Sequence, residues 1–238
     1  MSGIGVLLIL LFVSSIPAIA VFMWFRFARY PFSLPRFSIS LLAGAISFFP
    51  ALLLQNLFAA RNGIFHIIGK WSLIAEIFFR IAFTEEFSRL LILCILIFAF
   101  RRLSAIVPPD SNTAVSAGTI AGASGLIAGL GFAILESAVY GASNPGNALL
   151  RIFTAAPLHG ACGFRVGSSV AMFREHSVQA LFRFLTAVII HGIYNFMLII
   201  PGFFPLIAAI LIALSALATA IVTIQRGMKG ENALDTIA

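Results

Sequence analysis

The sequence predicts an all-α integral membrane protein, a polytopic helical bundle of about seven transmembrane helices, with six to eight as the range. Of the 238 residues, 61% are hydrophobic and only 10% are charged, and the mean hydropathy is +1.09. Apolar runs of about 20 residues are long enough to cross the hydrocarbon core as helices. They lack the alternation that is typical of a transmembrane barrel.

Apolar segments divide the chain into seven predicted spans. No segment between them is long enough to fold as a separate soluble domain, so residues 1–238 are predicted to form one membrane domain. The third span is the least regular, because Lys70, Glu76 and Arg80 interrupt its first half, which could lie in the interface. The predicted bounds are 4–25, 37–60, 72–100, 113–140, 147–173, 178–200 and 204–224.

Lys and Arg residues predict the orientation of the bundle. An N-terminus outside and a C-terminus in the cytoplasm place eight basic residues in cytoplasmic segments and only Arg61 and Lys70 outside. This asymmetry agrees with the positive-inside rule. The eight residues are Arg26, Arg29, Arg36, Arg101, Arg102, Arg174, Arg226 and Lys229.

The net charge of +7 does not indicate a nucleic-acid partner, because the basic residues are scattered singly and in pairs without forming a basic face. Cys94 and Cys162 both lie inside apolar segments, where a buried small hydrophobe is the expected role. A catalytic thiol at Cys162 is therefore disfavoured.

Ionisable residues inside the apolar body are the candidates for function, because each costs roughly 2.5–3.5 kcal/mol at the centre of a membrane helix. Glu85 and Arg89 lie one helical turn apart, which favours an ion pair between them and leaves Glu86 to meet water, although the reverse assignment is open. Glu76 and Arg80 lie on the opposite face, where we predict an interfacial ion pair. The other candidates are Glu136, His159 and His191.

A stripe of small residues in the fourth span predicts close helix packing. Its six members lie within about 40° of each other on a helix, and small residues at this spacing let a neighbouring helix approach. Glu136 ends the stripe, so we expect it to face the bundle interior. The stripe consists of Gly118, Gly122, Gly125, Gly129, Phe132 and Glu136, and Gly163 belongs to a similar stripe in the fifth span.

His191 and Asn195 form an i, i+4 pair in the sixth span and can point at the same place. Counting about 1.5 Å per residue puts the carboxylates in the outer half of the membrane and the histidines near its middle. We therefore expect Glu85, Glu86 and His159 to share one cavity with this pair, open to the external side.

These residue types suit a hydrolytic site. A glutamate can act as general base on a water, and His or Asn can donate to a developing oxyanion. The same residues could bind Zn²⁺, in which case Glu85, Glu86, His159 and His191 are the ligands. The HExxH motif of a zinc-protease helix is not present in the sequence.

Four ordered motifs resemble those of the PrsW family of intramembrane proteases, and of the wider superfamily that includes the CAAX prenyl endopeptidases. They are EEFSR at 85–89, GFAILES at 131–137, LHGACG at 158–163 and IHGIYNF at 190–196. The resemblance covers about residues 70–200, which it implies are the catalytic core. It implies a glutamate or metallo endopeptidase of a prokaryotic cell membrane. Such an enzyme cleaves a membrane-anchored protein, such as an anti-sigma factor, near the extracytoplasmic side.

The resemblance also implies roles for single residues. Glu85 or Glu86 would activate water with the help of His159, and Arg89 would hold the glutamates in place together with Glu136. Arg89 stands where the family usually has lysine, so proton transfer is not expected there. The implied site residues are Glu85, Glu86, Glu136, His159, His191 and Asn195, with Phe132 of the FxxxE motif in support, and His191 and Asn195 would polarise the scissile carbonyl.

Two other functions fit the residues. A non-catalytic scaffold would bind the transmembrane helix of a partner along the glycine stripes, and a proton-coupled transporter would use buried Glu, Arg and His as a relay. The sequence shows no obvious inverted repeat or matched pair of broken helices in favour of the transporter. Processing of a substrate that survives Glu86→Gln with His191→Ala would favour the scaffold. The oligomeric state is left open by the sequence.

Overall fold

The computed structural model describes residues 3–60, 72–104 and 117–229, and every regular element among them is helical, which confirms the all-α prediction. The predicted start of the fourth span at residue 113 lies outside the described residues, as does Lys70. The elements are α1 (Gly3–Ser14), α2 (Ile16–Phe27), α3 (Leu34–Ala60), α4 (Ser72–Ala75), a π-helix π1 (Glu76–Phe83), α5 (Thr84–Ser104), α6 (Ala117–Ser143), α7 (Pro145–Phe153), α8 (Ala155–Met172), α9 (Ser177–Ile199) and α10 (Phe203–Met228).

Five stretches of the described chain are long and apolar enough to cross a membrane. They are Ile4–Phe27, Leu34–Ala59, Ala117–Ala142, Ser177–Ile199 and Phe203–Met228. Helices α5 and α8 are not among them, and these two helices contain the glutamate pair and the first histidine motif. The protein is therefore a helical membrane bundle, and the number of seven spans stays a prediction.

The fifth predicted span, 147–173, is not one helix. Helix α7 begins at Pro145, where the side chain of Asn144 accepts a hydrogen bond of 3.1 Å from the Gly146 N–H, and it ends at Phe153. The backbone of Thr154 leaves the helical path, and Pro157 in the first turn of α8 has no N–H to donate back to α7. The prediction of a continuous span from 147 is therefore wrong.

The third predicted span is continuous from Ser72 to Ser104, but its first half is a π-helix. The side chains of Glu76 and Arg80 form an ion pair that is partly exposed, which confirms the pair predicted from sequence. At the junction with α5, the Thr84 hydroxyl donates to the carbonyls of Arg80 and Ile81 at 2.6 and 3.0 Å. This side chain satisfies carbonyls at the point where the hydrogen-bond register changes.

Helix α6 is the centre of the bundle. In its most apolar window 78% of the residues are buried, against 17 to 39% in the other four candidate spans. It packs along α8 on one side and along α3 on the other. The outer faces of the bundle expose large apolar side chains, as expected of a protein whose surroundings are lipid, among them Phe27, Phe79, Ile95, Phe203 and Phe204.

Glycines allow α6 to lie against α8 with the backbones in contact. A Cβ atom on Gly125 would overlap the Gly163 carbonyl, and one on Gly129 would overlap the His159 carbonyl. Gly122 faces the side chains of Phe164 and Ser168 on α8. The predicted stripe is thus a packing surface from Gly122 onward. Gly118 is half-buried, and no close neighbour faces it in the described part of the chain.

We expect Gly125→Ala to lower the free energy of unfolding by about 1–3 kcal/mol, because the added methyl group would force the two backbones apart. The matched control is Gly118→Ala, which makes the same change on the same helix and should be neutral or stabilising, since alanine favours the helix. Unfolding of the purified proteins in detergent measures both. Equal stability of the two variants would contradict close packing at Gly125.

Candidate active site

Four helices bring ionisable side chains together in one buried cluster. The glutamate pair and Arg89 lie in the first two turns of α5, Glu136 near the end of α6, His159 near the start of α8 and His191 in α9. All of these side chains are buried, and Arg89 and Glu86 have no exposed surface. The cluster consists of Glu85, Glu86, Arg89, Glu136, His159 and His191.

Arg89 connects the two histidines. Its Nη1 donates to Oε2 of Glu86, while its Nη2 lies 3.2 Å from Nδ1 of His159. The other oxygen of Glu86, Oε1, lies 2.8 Å from Nδ1 of His191. The two imidazole rings stand perpendicular, with their centroids 5.0 Å apart. One guanidinium and one carboxylate therefore fix the orientation of both rings.

Glu136 fixes His159 from the opposite side. Nε2 of His159 lies 2.7 Å from Oε2 of Glu136, and Nη2 of Arg151 donates to the same oxygen. Arg151 also donates from Nε to the Ser137 hydroxyl at 3.2 Å and stacks over the Tyr140 ring, with 4.6 Å from its carbon to the centroid. Glu136 is thus held by an arginine from α7 and holds a histidine of α8.

The hydrogen-bond partners assign the tautomers of both histidines. Arginine is always a donor, so Nδ1 of His159 accepts from Arg89 and its Nε2 carries the proton that is donated to Glu136. Glu86, ionised beside Arg89, is an acceptor only, so Nδ1 of His191 donates to it. The Nε2 atom of a neutral His191 is therefore left with a lone pair and no proton.

Glu85 is the one carboxylate of the cluster without an arginine partner. Its Oε1 accepts a hydrogen bond of 3.0 Å from the Gln55 amide on α3. Its Oε2 is buried and has no hydrogen-bond partner among the described residues. That oxygen lies 3.7 Å from Nε2 of His191, so when His191 is neutral and Glu85 is ionised two acceptor atoms face each other.

The Phe132 ring packs against this network. Phe132 is buried under the Arg89 guanidinium, whose carbon lies 4.8 Å from the ring centroid, and its ring lies 5.1 Å from that of His159. Phe48 of α3 packs on the other side of Phe132 at 5.5 Å. A cation over an aromatic face is stabilised where water is excluded. Phe132 therefore contributes to positioning Arg89 and His159.

A comparison with models of known protein families gives a match to this chain. A model described as the PrsW family of intramembrane metalloproteases matches residues 35–222. The chain belongs to this family. Searches of the curated proteins and of the solved structures found no match. The matched range includes α3, and therefore Gln55, as well as the four motifs.

Family membership makes this PrsW protein a peptidase of the membrane. The structure brings together five of the six residues that sequence predicted for its site, Glu85, Glu86, Glu136, His159 and His191. Asn195 lies one turn beyond His191, half-buried, and makes no hydrogen bond with the described residues. Its place in the reaction stays a prediction.

The predicted pairing within the glutamate motif is reversed in this PrsW protein. Arg89 binds Glu86 at i, i+3, and not Glu85 at i, i+4. Both spacings place side chains on one helix face, so the sequence could not decide between them. Glu136 was expected to help hold the glutamates, but its partners are His159 and Arg151.

Two residues that contact this cluster are not among the site residues predicted from sequence. Gln55 is a single amide inside the second apolar span, and Arg151 lies within the fifth. A buried polar side chain in a membrane helix indicates a partner. That signal was present at both positions.

We expect Arg151→Gln to lower the free energy of unfolding by roughly 1–3 kcal/mol, because Glu136 would lose its charged partner in a buried place. The double variant with Glu136→Gln should recover part of this loss, since no carboxylate is then left unpaired. Arg80→Gln is the control, because its pair with Glu76 is more exposed and should be worth less. Equal losses for Arg80→Gln and Arg151→Gln would contradict the role given to Arg151.

Proposed function

We propose that this PrsW-family protein is an endopeptidase that cleaves a membrane-anchored protein, with Glu85 as the base for the attacking water. The supporting observation is the gap between Oε2 of Glu85 and Nε2 of His191, where two buried acceptor atoms face each other at 3.7 Å. A water beside this pair of atoms could donate one hydrogen bond to each of them. The Gln55 amide holds the Glu85 carboxylate, and the Glu86 carboxylate holds the His191 ring.

Charge balance supports the same assignment. With neutral histidines, the cluster together with Arg151 contains three carboxylates and two guanidiniums, which leaves one negative charge in excess. Buried charge without a partner is costly. The carboxylate without a guanidinium is Glu85, so this is where the site would take up a cation, either a proton or a metal ion. A glutamate that exchanges a proton with bound water satisfies this requirement.

We also propose a second form of this site, in which the cation is Zn²⁺ and Glu85 is one of its ligands instead of the base. One ligand atom from each of Glu85, His159 and His191 lies within 4.8 Å of the others, and these residue types are common zinc ligands. Oε2 of Glu85 has no hydrogen-bond partner among the described residues and lies 3.7 Å from Nε2 of His191, whereas Nδ1 of His159 would have to give up the hydrogen bond from Arg89. The donor types therefore suit zinc once that bond is released. Bound zinc would polarise the carbonyl and promote ionisation of water.

In this proposal, Glu86 and Glu136 hold the two histidines in position. Each carboxylate accepts the N–H of one histidine, which fixes the tautomer and the direction of the remaining lone pair, as is usual for histidines that bind metals. Glu86 is therefore not one of the proposed ligands. Asn195 is half-buried and one turn beyond His191, and in this proposal its amide donates to the scissile carbonyl oxygen.

The catalytic residues can divide the reaction among them. In the metal-free form, Glu85 takes a proton from the water as the oxygen attacks the scissile carbon, and it then gives that proton to the leaving amine. Asn195 donates to the carbonyl oxygen as negative charge develops there. The substrate would be cleaved near the extracytoplasmic side of a prokaryotic cell membrane, as the N-out orientation and the family resemblance imply, and an anti-sigma factor is one candidate.

The zinc proposal predicts metal content that depends on single donors. The purified wild type should contain about one zinc ion per chain, and Glu85→Gln or His191→Ala should contain much less, because each removes one of three protein ligands. Glu76→Gln is the matched control, since its carboxylate lies outside the cluster and should not alter zinc content. Elemental analysis measures the metal. A zinc-free wild type that cleaves substrate would contradict the metal and leave the glutamate mechanism standing.

Activity should fall about 10²–10⁴-fold in Glu85→Gln, because the amide cannot accept the proton of water. Comparative membrane proteomics of a Glu85→Gln strain and the wild type should reveal a single-span protein that accumulates uncut. Cleavage of that protein by the two purified forms then measures the loss. Glu76→Gln should cleave it at the wild-type rate. Unchanged processing in the Glu85→Gln strain would contradict the proposed function.

A further inference from the structure

An apolar cavity of about 300 Å³ lies between α5, α8 and α9, on the side of the bundle away from the catalytic cluster. The cavity is lined by side chains between Leu90 and Phe98 on α5, from Ser169 onward on α8, and between Ala180 and Phe184 on α9. Ser169 is ten residues after His159 and Phe184 is seven before His191, so the cavity lies about 10–15 Å further along α8 and α9. On α5 it begins at Leu90, next to Arg89, but no residue of the catalytic cluster lines it.

The lining of the cavity excludes a polar ligand. Apart from one thiol, one hydroxyl and one guanidinium, all lining side chains are apolar. The Ser169 hydroxyl already donates to the Val166 carbonyl at 2.8 Å. Leu181 and Phe173 line the cavity and are also exposed on the outer, lipid-facing surface of the bundle, so the cavity communicates with the membrane.

Arg174 lies at the rim of this cavity, in the turn between α8 and α9. Its guanidinium stacks over the Phe98 ring, with the carbon 5.5 Å from the centroid, and this contact holds the charge at the entrance. Within the part of the chain that the structure describes, Arg174 forms no ion pair, not even with the adjacent Glu175. The orientation predicted from the distribution of Lys and Arg puts this turn at the cytoplasmic surface.

We propose that this cavity binds one acyl chain of an anionic phospholipid whose phosphate pairs with Arg174. A narrow apolar space that opens to the bilayer is complementary to a hydrocarbon chain, and a cation at its mouth is complementary to an anionic head group. The volume lies at the lower end of the range for ligand sites, too small for a transmembrane helix about 10–12 Å across. The lipid would fill the space between the three helices that position the catalytic residues.

Photo-crosslinking in lipid nanodiscs tests this proposal. Phosphatidylglycerol with a diazirine in its acyl chain should label residues 90–98 and 169–184 more strongly than it labels α10, whose exposed face measures ordinary lipid contact. Unlabelled phosphatidylglycerol should compete for the cavity about fivefold better than phosphatidylcholine, the effect expected of one basic residue at an anionic surface. Mass spectrometry of the peptides gives both ratios.

Two variants and one control locate the binding. Arg174→Gln should remove the preference for phosphatidylglycerol, and Ala180→Phe, which fills the cavity from α9, should remove the excess labelling of either lipid. Arg36→Gln is the matched control, because Arg36 also stacks over a phenylalanine, Phe32 at 5.8 Å, but lines no part of this cavity. It should retain both ratios.

Labelling of the cavity peptides that equals that of α10, or that is indifferent to the head group, would overturn the proposal. The first result would mean that another occupant covers the cavity. The second would mean that the chain binds without a contribution from Arg174. Both outcomes leave the metal content and peptidase activity untouched, so they are independent of the proposed function.

Discussion

The ion pair between Arg89 and Glu86 is the interaction on which the rest of the site depends. Neither side chain has exposed surface, and a single charge at the centre of a membrane helix costs roughly 2.5–3.5 kcal/mol, so each can be ionised there only because the other is. The second Nη atom of Arg89 reaches His159, and the second oxygen of Glu86 reaches His191. The orientation of both imidazole rings therefore depends on one ion pair.

Arginine suits this position better than a lysine would in this chain. Its planar guanidinium donates to a carboxylate and an imidazole at the same time and lies flat over Phe132, whereas an ammonium is a point charge on a flexible stem. The three glutamates are then divided between two tasks. Glu86 and Glu136 accept hydrogen bonds from histidines, and Glu85 keeps one oxygen without a partner.

The sequence predicts a helix contact correctly where the spacing of the residues along the helix allows only one geometry. The stripe through Gly122, Gly125 and Gly129 had to face one side of α6, and the structure places α8 against it with the backbones in contact. Sequence could not decide which glutamate binds Arg89, because i, i+3 and i, i+4 neighbours are equally close on a helix. It could not pair Gln55 with Glu85 either, since that contact joins helices thirty residues apart.

The break at Thr154 shows why a wrong boundary changes the chemistry of a site. On one continuous helix, Arg151 would precede His159 by eight residues, or about 12 Å along the axis. The two side chains would then be too far apart to bind one carboxylate. Separation of α7 from α8 lets Arg151 turn back toward α6, and both residues then bind Oε2 of Glu136. Proline at 157 permits the break because it has no N–H to lose. Arg151, a charged residue within a long apolar stretch of sequence, therefore helps to position His159 through Glu136.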